Sequence, residues 1–459
     1  MRFVHCADVH LDSPLRGLSR YEGAPVDRLR GATREAFERL VRCALDEKAD
    51  FVVIAGDLYD GDRDDFQTAM FLQGQLHVLR EAGIPVAVAY GNHDAANEIT
   101  KRLRLPDNVV VFPSDAAGKV VLEEAGAVLH GRSYPTRVVS DDLSAGYLAP
   151  VDGALNVGVL HTSLDGRPGH DPYAPCTLDA LVARGYAYWA LGHVHSREEH
   201  AVDGVHVVFP GNLQGRDVGE VGPKGATVVE YDADRVRSVT RRDLAPVRWA
   251  RREVDVRDAM HVDDALDRVV ADIGELRASS ATEAGTGLPP ELLAVRVVIR
   301  ASTPVGQEWL RHAERYETQL RADAGGGGDD LWIERVELTP ASRSLSRATR
   351  ASREGEPSGE PESSGEPEPN REGEPSGEEV GGEAVDAVRQ AFARLHGGDA
   401  GSEPAGTEIA GLLAGVRRRF GADLDNALSF GARVLGEGAL DELLEEAEAL
   451  LVAELEAGD

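Results

Sequence analysis

Five short apolar runs in the first 200 residues each lead directly into residues that can bind a metal ion. The runs are RFVHCA, DFVVIA, IPVAVAY, NVGVL and YAYWAL, and the residues after them are Asp8, Gly56-Asp57, Gly91-Asn92-His93-Asp94, His161 and Gly192-His193-Val194-His195. Runs of this length are typical of buried strands, and apolar residues at helical spacing from Leu29 to Leu45 separate the first two. The pattern predicts an α/β layered domain over residues 1–248, with the strand ends meeting along one edge.

The side chains at these strand ends suit divalent transition metals. Seven are candidate ligands: Asp8, His10, Asp57, Asn92, His161, His193 and His195. Carboxylates, imidazoles and one amide, without a thiolate, favour Mn, Fe or Zn. Seven ligands exceed the needs of one ion, so we expect two ions about 3.5–4 Å apart that share Asp57. Such a pair would bind a hydroxide between them as nucleophile and polarise a phosphoryl oxygen.

The spacing within two of the motifs supports a common site. Asp8 and His10 lie two residues apart, as do His193 and His195, so an extended backbone would direct both side chains of a pair to one side. Each motif alone is more often a turn, a helix cap or a solvated loop. Five ordered occurrences, each at a strand end, favour the dinuclear site over five coincidences.

The expected site would attract an anion although the whole chain is acidic. Two divalent ions, two carboxylates and one hydroxide leave a local charge of about +1, against a formal net charge of −31 for the chain. His93 exceeds the needs of the metal shell and is placed to protonate a leaving alkoxide, and Asp94 could orient it. These features point to phosphoester hydrolysis.

Three further segments follow the first domain. Strand and helix patterns alternate over residues 249–345, which predicts a small α/β domain in which the GGGG at 325–328 is a turn. Residues 346–383 are rich in Glu, Pro, Ser and Gly, with eleven Glu against two Arg from 351 to 383, so a disordered linker is expected. Residues 384–459 carry amphipathic helical patterns that could fold alone or dock on a partner.

Composition and motifs indicate the compartment in which the protein works and whether it can hydrolyse ATP. A chain of this charge is not a globally basic nucleic-acid binder. The sequence contains no long apolar run or leader pattern, and its three cysteines are widely separated, so we expect a cytoplasmic protein that does not enter a membrane. It also lacks a GxxxxGK[ST] motif, so ATP hydrolysis by that route would need a partner protein.

The combined motifs resemble the signature of the calcineurin-like metallophosphoesterases. They comprise Asp8-x-His10, Gly56-Asp57-x-x-Asp60, Gly91-Asn92-His93-Asp94, His161 and Gly192-His193-x-His195. The resemblance implies a four-layer αββα sandwich with His93 as the catalytic histidine. It also implies one metal bound by Asp8, His10, Asp57 and His195, and a second bound by Asp57, Asn92, His161 and His193. The usual ions of such enzymes are Mn²⁺, Fe or Zn²⁺, and Mn²⁺ is expected here.

Within that family the stretches HCADVHLDSPLRGL, AGDLYD, GIPVAVAYGNHD and VVFPGNLQGR resemble the SbcD/YhaO group of DNA repair exonucleases. The resemblance implies a small capping domain and C-terminal helices that engage an SbcC-like coiled-coil ATPase, and it leaves a homodimer open. Some nuclease branches carry His where this chain has Asp60, so polarity and strand preference are not transferred. The expected function is a metal-dependent DNA phosphodiesterase. The alternatives are a phosphodiesterase or phosphatase for nucleotides or phosphoproteins, and a non-catalytic scaffold.

Two basic stretches are candidates for DNA contact. RVRSVTRRDLAPVRWARR at 235–252 holds seven Arg and one Asp, and it suits either phosphate contacts or a solvated face near the domain boundary. TKRLR at 100–104, just after the catalytic motif, is the better placed of the two.

Overall fold

The computed structural model describes residues 1–15, 23–59, 66–96, 104–164, 173–232, 235–282, 287–326 and 328–340. These ranges lie within one compact unit, Met1–Arg347. The linker predicted at 346–383 and the helical region predicted at 384–459 fall outside the described residues. So do Asp60 and most of the basic stretch at 100–104.

Fifteen strands and seven α-helices occur in the described ranges. In chain order they are β1 (Arg2–Cys6), α1 (Val26–Asp46), β2 (Phe51–Ala55), α2 (Phe66–Glu81), β3 (Val86–Ala89), α3 (Asn92–Ala96), β4 (Val109–Val111), β5 (Gly118–Leu122), β6 (Ala127–Arg132), β7 (Leu155–His161), α4 (Leu178–Val182), β8 (Tyr188–Gly192), β9 (Glu198–Val202), β10 (Val205–Phe209), β11 (Gly225–Asp232), β12 (Arg235–Asp243), β13 (Val247–Val256), α5 (Val262–Thr282), β14 (Leu292–Ala301), α6 (Thr303–Arg311), α7 (Ala313–Gly325) and β15 (Leu331–Pro340). A 3₁₀ helix spans Leu143–Gly146.

The strands form two six-stranded mixed sheets and one three-stranded parallel sheet. The first sheet has the order β12-β11-β1-β2-β3-β4, in which β1 to β4 run parallel. The second has the order β5-β6-β7-β8-β10-β9, in which β6, β7, β8 and β10 run parallel. Parallel strands present their C-terminal ends at one edge, which is the condition that the strand-end motifs require.

Three apolar clusters show why the two large sheets form the inner layers of a sandwich. Alternate residues of β1 and β2, such as Phe3 and Phe51, meet Tyr188 and the inner face of the second sheet. The opposite faces of β1, β2 and β3 pack against α1 and α2. The outer face of the second sheet is covered by the 3₁₀ helix, α4 and adjoining coil around Trp189. The αββα arrangement expected from the sequence is therefore confirmed.

The third sheet, β13-β14-β15, carries α5, α6 and α7 on one face. Its other face contributes Trp249 and Trp332, which meet Leu29 and Ala32 of α1. The domain boundary predicted between residues 248 and 249 falls inside β13, because that strand begins at Val247. The sequence pattern around Trp309 and Leu320 is compatible with one helix, but the structure has two, α6 and α7, because the backbone of His312 (φ −133°, ψ 36°) interrupts the helix.

Among the described residues, none of the helices combines the length and apolar character needed to cross a membrane. Cys6, Cys43 and Cys176 are buried free thiols.

Candidate metal centre

Five strand ends from two sheets meet to form the site. β1, β2 and β3 are neighbours in the first sheet, and β7 and β8 are neighbours in the second. His161 is the last residue of β7, and the segments that follow the other four strands carry the remaining candidate ligands predicted from the sequence. Most of these side chains are almost fully buried: Asp8, His10, Asp57, Asn92 and His161 are each at most 6% exposed, and His193 and His195 are partly exposed.

The ligand atoms form two overlapping groups, each within 4.8 Å. We call them the His195 cluster (Asp8, His10 and His195) and the His161 cluster (Asp8, Asp57 and His161). In the first, Nε2 of His10 lies 3.2 Å from Nε2 of His195. In the second, Nε2 of His161 lies 3.3 Å from Oδ2 of Asp57 and 3.0 Å from Oδ1 of Asn92. Asp8 belongs to both clusters, so the two groups are continuous.

Hydrogen bonds fix which nitrogen of His161 faces the site. Its Nδ1 lies 3.0 Å from the carbonyl oxygen of Ala55, which only accepts, so Nδ1 carries the proton. Nε2 therefore faces the oxygens of Asp57 and Asn92. These three atoms need a positive charge among them, which either a second proton on His161 or a divalent cation would supply.

The pKa shifts of the central acids and bases also indicate that the site needs a positive charge. Burial raises the pKa of Asp8, against the opposing charges of His195 and His161. Burial also disfavours the ions of Asp57 and His161, but their mutual attraction and hydrogen bond prevail. The pKa of Asp57 therefore falls well below its usual range, and the pKa of His161 rises to about 9. A proton on His161 or a bound cation can neutralise this pair, so the donor set fits a divalent metal.

The backbone at the site is strained rather than extended. Asp8, His10 and Asp57 have φ values of 50°, 47° and 53°, and His193 has a φ of 100°. Residues with a Cβ rarely adopt such angles, and they cluster at functional sites where surrounding structure holds them. The extended geometry that we expected for Asp8-x-His10 and His193-x-His195 is therefore wrong, although both pairs do reach the site.

Small residues allow the strand ends to approach this closely. A Cβ on Gly91 would lie 2.3 Å from Oδ1 of Asp57, and a Cβ on Gly192 would lie 1.8 Å from the carbonyl oxygen of Ala55. Both glycines belong to motifs quoted from the sequence. Their part is to admit neighbouring ligand-bearing loops, since a side chain at either position would overlap them.

Asp94 joins two of the ligand-bearing loops. Its Oδ1 accepts hydrogen bonds from the backbone N–H groups of Leu58 (2.9 Å) and Tyr59 (3.1 Å), and its Oδ2 accepts one from Gly91 (2.9 Å). Burial, followed by the charge of Asp57, raises the pKa of Asp94 to about 7. These bonds tie the loop after β2 to the loop after β3, and the orientation of His93 by Asp94 stays a prediction.

His93 lies at the same rim. Its backbone N–H donates to Oδ1 of Asp57 (3.0 Å), and its ring stands edge to face against His10 with centroids 5.2 Å apart. The side chain is partly exposed. It is thus beside the ligands and open to a bound substrate.

A carboxylate that the sequence reasoning missed supports His195. Oε1 of Glu220 lies 2.6 Å from Nδ1 of His195, and the same carboxylate accepts bonds from Asn212 and Arg216. Burial opposes ionisation, but the bonds from His195 and Arg216 hold the pKa of Glu220 well below its usual range. The stretch VVFPGNLQGR next to it carried part of the family resemblance, yet no periodicity or ligand spacing marks Glu220.

The arginines of the stretch at 235–252 are largely paired with carboxylates. Arg237 bonds Asp232, Arg242 bonds Glu47, Arg252 pairs with Asp272, and both Arg241 and Arg248 pair with Asp243. Ion-paired guanidinium groups favour the solvated-face interpretation over dedicated phosphate contacts.

Comparison with known proteins gives two family matches. Residues 1–197 match the calcineurin-like phosphoesterase model, and residues 249–340 match the middle domain of metallophosphoesterase YhaO. The chain is 33% identical to the uncharacterized metallophosphoesterase YhaO of Bacillus subtilis (strain 168) over 318 residues, which is 69% of this chain and 74% of that protein.

Relatives named DNA double-strand break repair protein Mre11 are more distant. Those from Haloferax volcanii and Methanopyrus kandleri are 28% and 26% identical, over 58% and 55% of this chain. The chain spans 57% and 58% of their lengths. A solved dimetal phosphatase from Danio rerio aligns with 50% of this chain and 92% of its own at 12% identity and a TM-score of 0.31.

Proposed function

Because this chain belongs to the calcineurin-like metallophosphoesterase family, we propose that it is a metal-dependent DNA phosphodiesterase that acts as a DNA repair exonuclease. The family supports phosphoester hydrolysis with divalent metal ions. The observation that carries the proposal is that Nε2 of His161 lies 3.0 Å from Oδ1 of Asn92 and 3.3 Å from Oδ2 of Asp57, a set of atoms suited to a divalent cation. The DNA substrate is supported by the relatives named as double-strand break repair proteins.

Different residues of the chain have different roles in the proposed reaction. Two ions, Mn²⁺ by preference, would be held by the seven strand-end ligands and would supply an activated water and polarise the phosphoryl group. His93, partly exposed beside Asp57 and His10, donates a proton to the 3′-oxygen as its bond to phosphorus breaks. Asp94 holds the loops on which these side chains are carried.

A partner ATPase completes the proposal. The sequence has no P-loop motif, and its resemblance to the SbcD/YhaO group implies an SbcC-like coiled-coil ATPase. The helical patterns at 384–459 are candidates for its docking, and the domain on β13, β14 and β15 is a candidate cap over the DNA. A test adds the purified ATPase to the full-length chain.

The test of substrate class uses full-length protein with Mn²⁺, single- and double-stranded DNA with labelled ends, and small phosphoesters. We expect nucleotide release from DNA, increased by the ATPase partner. Hydrolysis of nucleotides or phosphopeptides with DNA left intact would overturn the DNA proposal in favour of the phosphatase alternative. No hydrolysis of any substrate by metal-loaded protein would favour a scaffold.

The test of the proton donor is His93→Ala. We expect kcat to fall about 100- to 10,000-fold with metal stoichiometry unchanged. His77→Ala, an exposed histidine of α2, is the matched control and should keep full activity. An unchanged kcat for His93→Ala would remove His93 from the reaction.

A further inference from the structure

The two histidines at the centre are supported from behind by different groups. Nδ1 of His195 lies 2.6 Å from a carboxylate oxygen of Glu220, whereas Nδ1 of His161 lies 3.0 Å from the backbone carbonyl of Ala55. Both partners only accept, so each Nδ1 carries a proton and each Nε2 faces the site, where it can bind a cation once it is unprotonated. One histidine is backed by a carboxylate, which is itself paired with Arg216, and the other by a neutral backbone dipole. Nη2 of Arg216 also lies 3.3 Å from Nδ1 of His195.

Glu220 is held firmly in this position. Its side chain is 13% exposed. Oε2 accepts from Nδ2 of Asn212 (2.8 Å) and from the backbone N–H of Arg216 (2.7 Å), while Oε1 accepts from Nη2 of Arg216 (2.9 Å). The carboxylate therefore cannot turn away from His195 without breaking several charge-assisted bonds.

The loop that carries Glu220 also holds the backbone of the His195 cluster. The carbonyl oxygen of His195 accepts from Nζ of Lys224 (2.7 Å) and from the N–H of Asn212 (3.3 Å), and the carbonyl of Asp8 accepts from the N–H of Leu213 (3.3 Å). Two ligands of that cluster are thus fixed by one loop, through both the backbone and the imidazole.

We propose that Glu220 is a positioning residue that makes the His195 cluster the tighter of the two cation sites, so that the two ions bind in order. A carboxylate hydrogen-bonded to a ligating histidine fixes the ring and increases its basicity, and its loss lowers metal affinity about 10- to 100-fold. The carbonyl behind His161 gives weaker support of the same kind. The inference rests on the metal centre proposed above and adds an order of filling to it.

The experiment is calorimetric titration of the metal-stripped, full-length protein with Mn²⁺. Wild-type protein should bind two ions with separate affinities. Glu220→Gln keeps an acceptor opposite His195 and removes the charge, so the tighter step should weaken about 10- to 100-fold while the weaker step changes little. Glu334→Gln is the matched control, because Glu334 is also buried and paired with an arginine, Arg296, but lies in the third sheet. Both metal-binding steps of Glu334→Gln should have the same affinities as in the wild type.

Two further measurements separate positioning from stability. Denaturation in chelator measures how much Glu220→Gln lowers the free energy of unfolding in the absence of metal. Mn²⁺ electron paramagnetic resonance at one equivalent tells whether the first ion still occupies a single environment, as we expect for wild type, or spreads over both clusters, as we expect for Glu220→Gln. If the Gln variant does not fold, Glu220→Asp takes its place. It retains the charge at a greater distance from His195 and should bind the first ion with intermediate affinity.

The outcomes are distinguishable. Equal affinities in wild type and Glu220→Gln, with two ions bound in each, overturn the role of Glu220 and leave the metal centre standing. A wild-type protein that binds no divalent ion overturns both.

Discussion

Acidification should destabilise this fold through a histidine outside the metal centre. His5 of β1 is fully buried, with Nδ1 3.0 Å from the hydroxyl of Tyr188 and Nε2 3.2 Å from the carbonyl oxygen of Leu191. The carbonyl requires a proton on Nε2, so Nδ1 accepts from Tyr188 and the neutral ring satisfies both partners. These bonds join the two sheets just below the strand ends that carry the ligands.

The magnitude follows from the ionisation of His5. Burial lowers its pKa from 6.5 to about 3. Below pH 6.5 the unfolded chain takes up a proton that the folded protein refuses, so stability is complete above that pH and is lost as the pH falls toward about 3. The free energy of unfolding should fall by about 1.4 kcal/mol per pH unit from this group, or about 2–3 kcal/mol between pH 6.5 and 4.5.

The assay is urea denaturation in chelator at several pH values, for wild type and His5→Gln. The amide can donate to Leu191 and accept from Tyr188 but does not titrate, so its stability should depend less steeply on pH by the stated amount. His77→Gln, on the exposed face of α2, should follow the wild type. Parallel losses in wild type and His5→Gln from pH 6.5 to 4.5 would refute the reasoning.

Two other substitutions test the packing around the site and the joint between domains. Gly192→Ala should lower the free energy of unfolding by at least about 2 kcal/mol and weaken metal binding, because its Cβ would overlap the carbonyl of Ala55 that positions His161. Unchanged stability in urea would contradict this close approach. Arg39→Met should lower the free energy of unfolding by about 1–2 kcal/mol. Arg39 is buried, but the loss stays small because its partners Glu35 and Glu291 remain solvated. Tryptophan fluorescence during denaturation measures this loss, and an unchanged midpoint would show that the pair contributes nothing.

The parts of the fold that the sequence predicted are those with strong local patterns. Buried parallel strands such as β2 and β7 are continuous apolar runs, and α1 has a clear helical stripe, so both could be read locally. Short edge strands such as β4 and β9 are only partly buried and carry no such pattern. Each is placed by pairing with a single neighbour, β3 for β4 and β10 for β9, and local periodicity does not report that pairing.

The candidate site divides in the same way. The ligands could be located because each follows an apolar run, and the sandwich brings those strand ends together. Their metal and proton-transfer roles remain predictions. The unusual backbone angles at Asp8 and Asp57 arise from tertiary contacts, and the carboxylate of Glu220 comes from a loop beyond the last motif. Neither has a local sequence signal.

Anomalous diffraction from crystals grown with Mn²⁺ tests the metal centre most directly. We predict two peaks about 3.5–4 Å apart at the common edge of the two large sheets. One should contact Asp8, His10, Asp57 and His195, and the other Asp57, Asn92, His161 and His193. A fully occupied crystal with one peak, or with peaks away from this edge, would contradict the dinuclear centre.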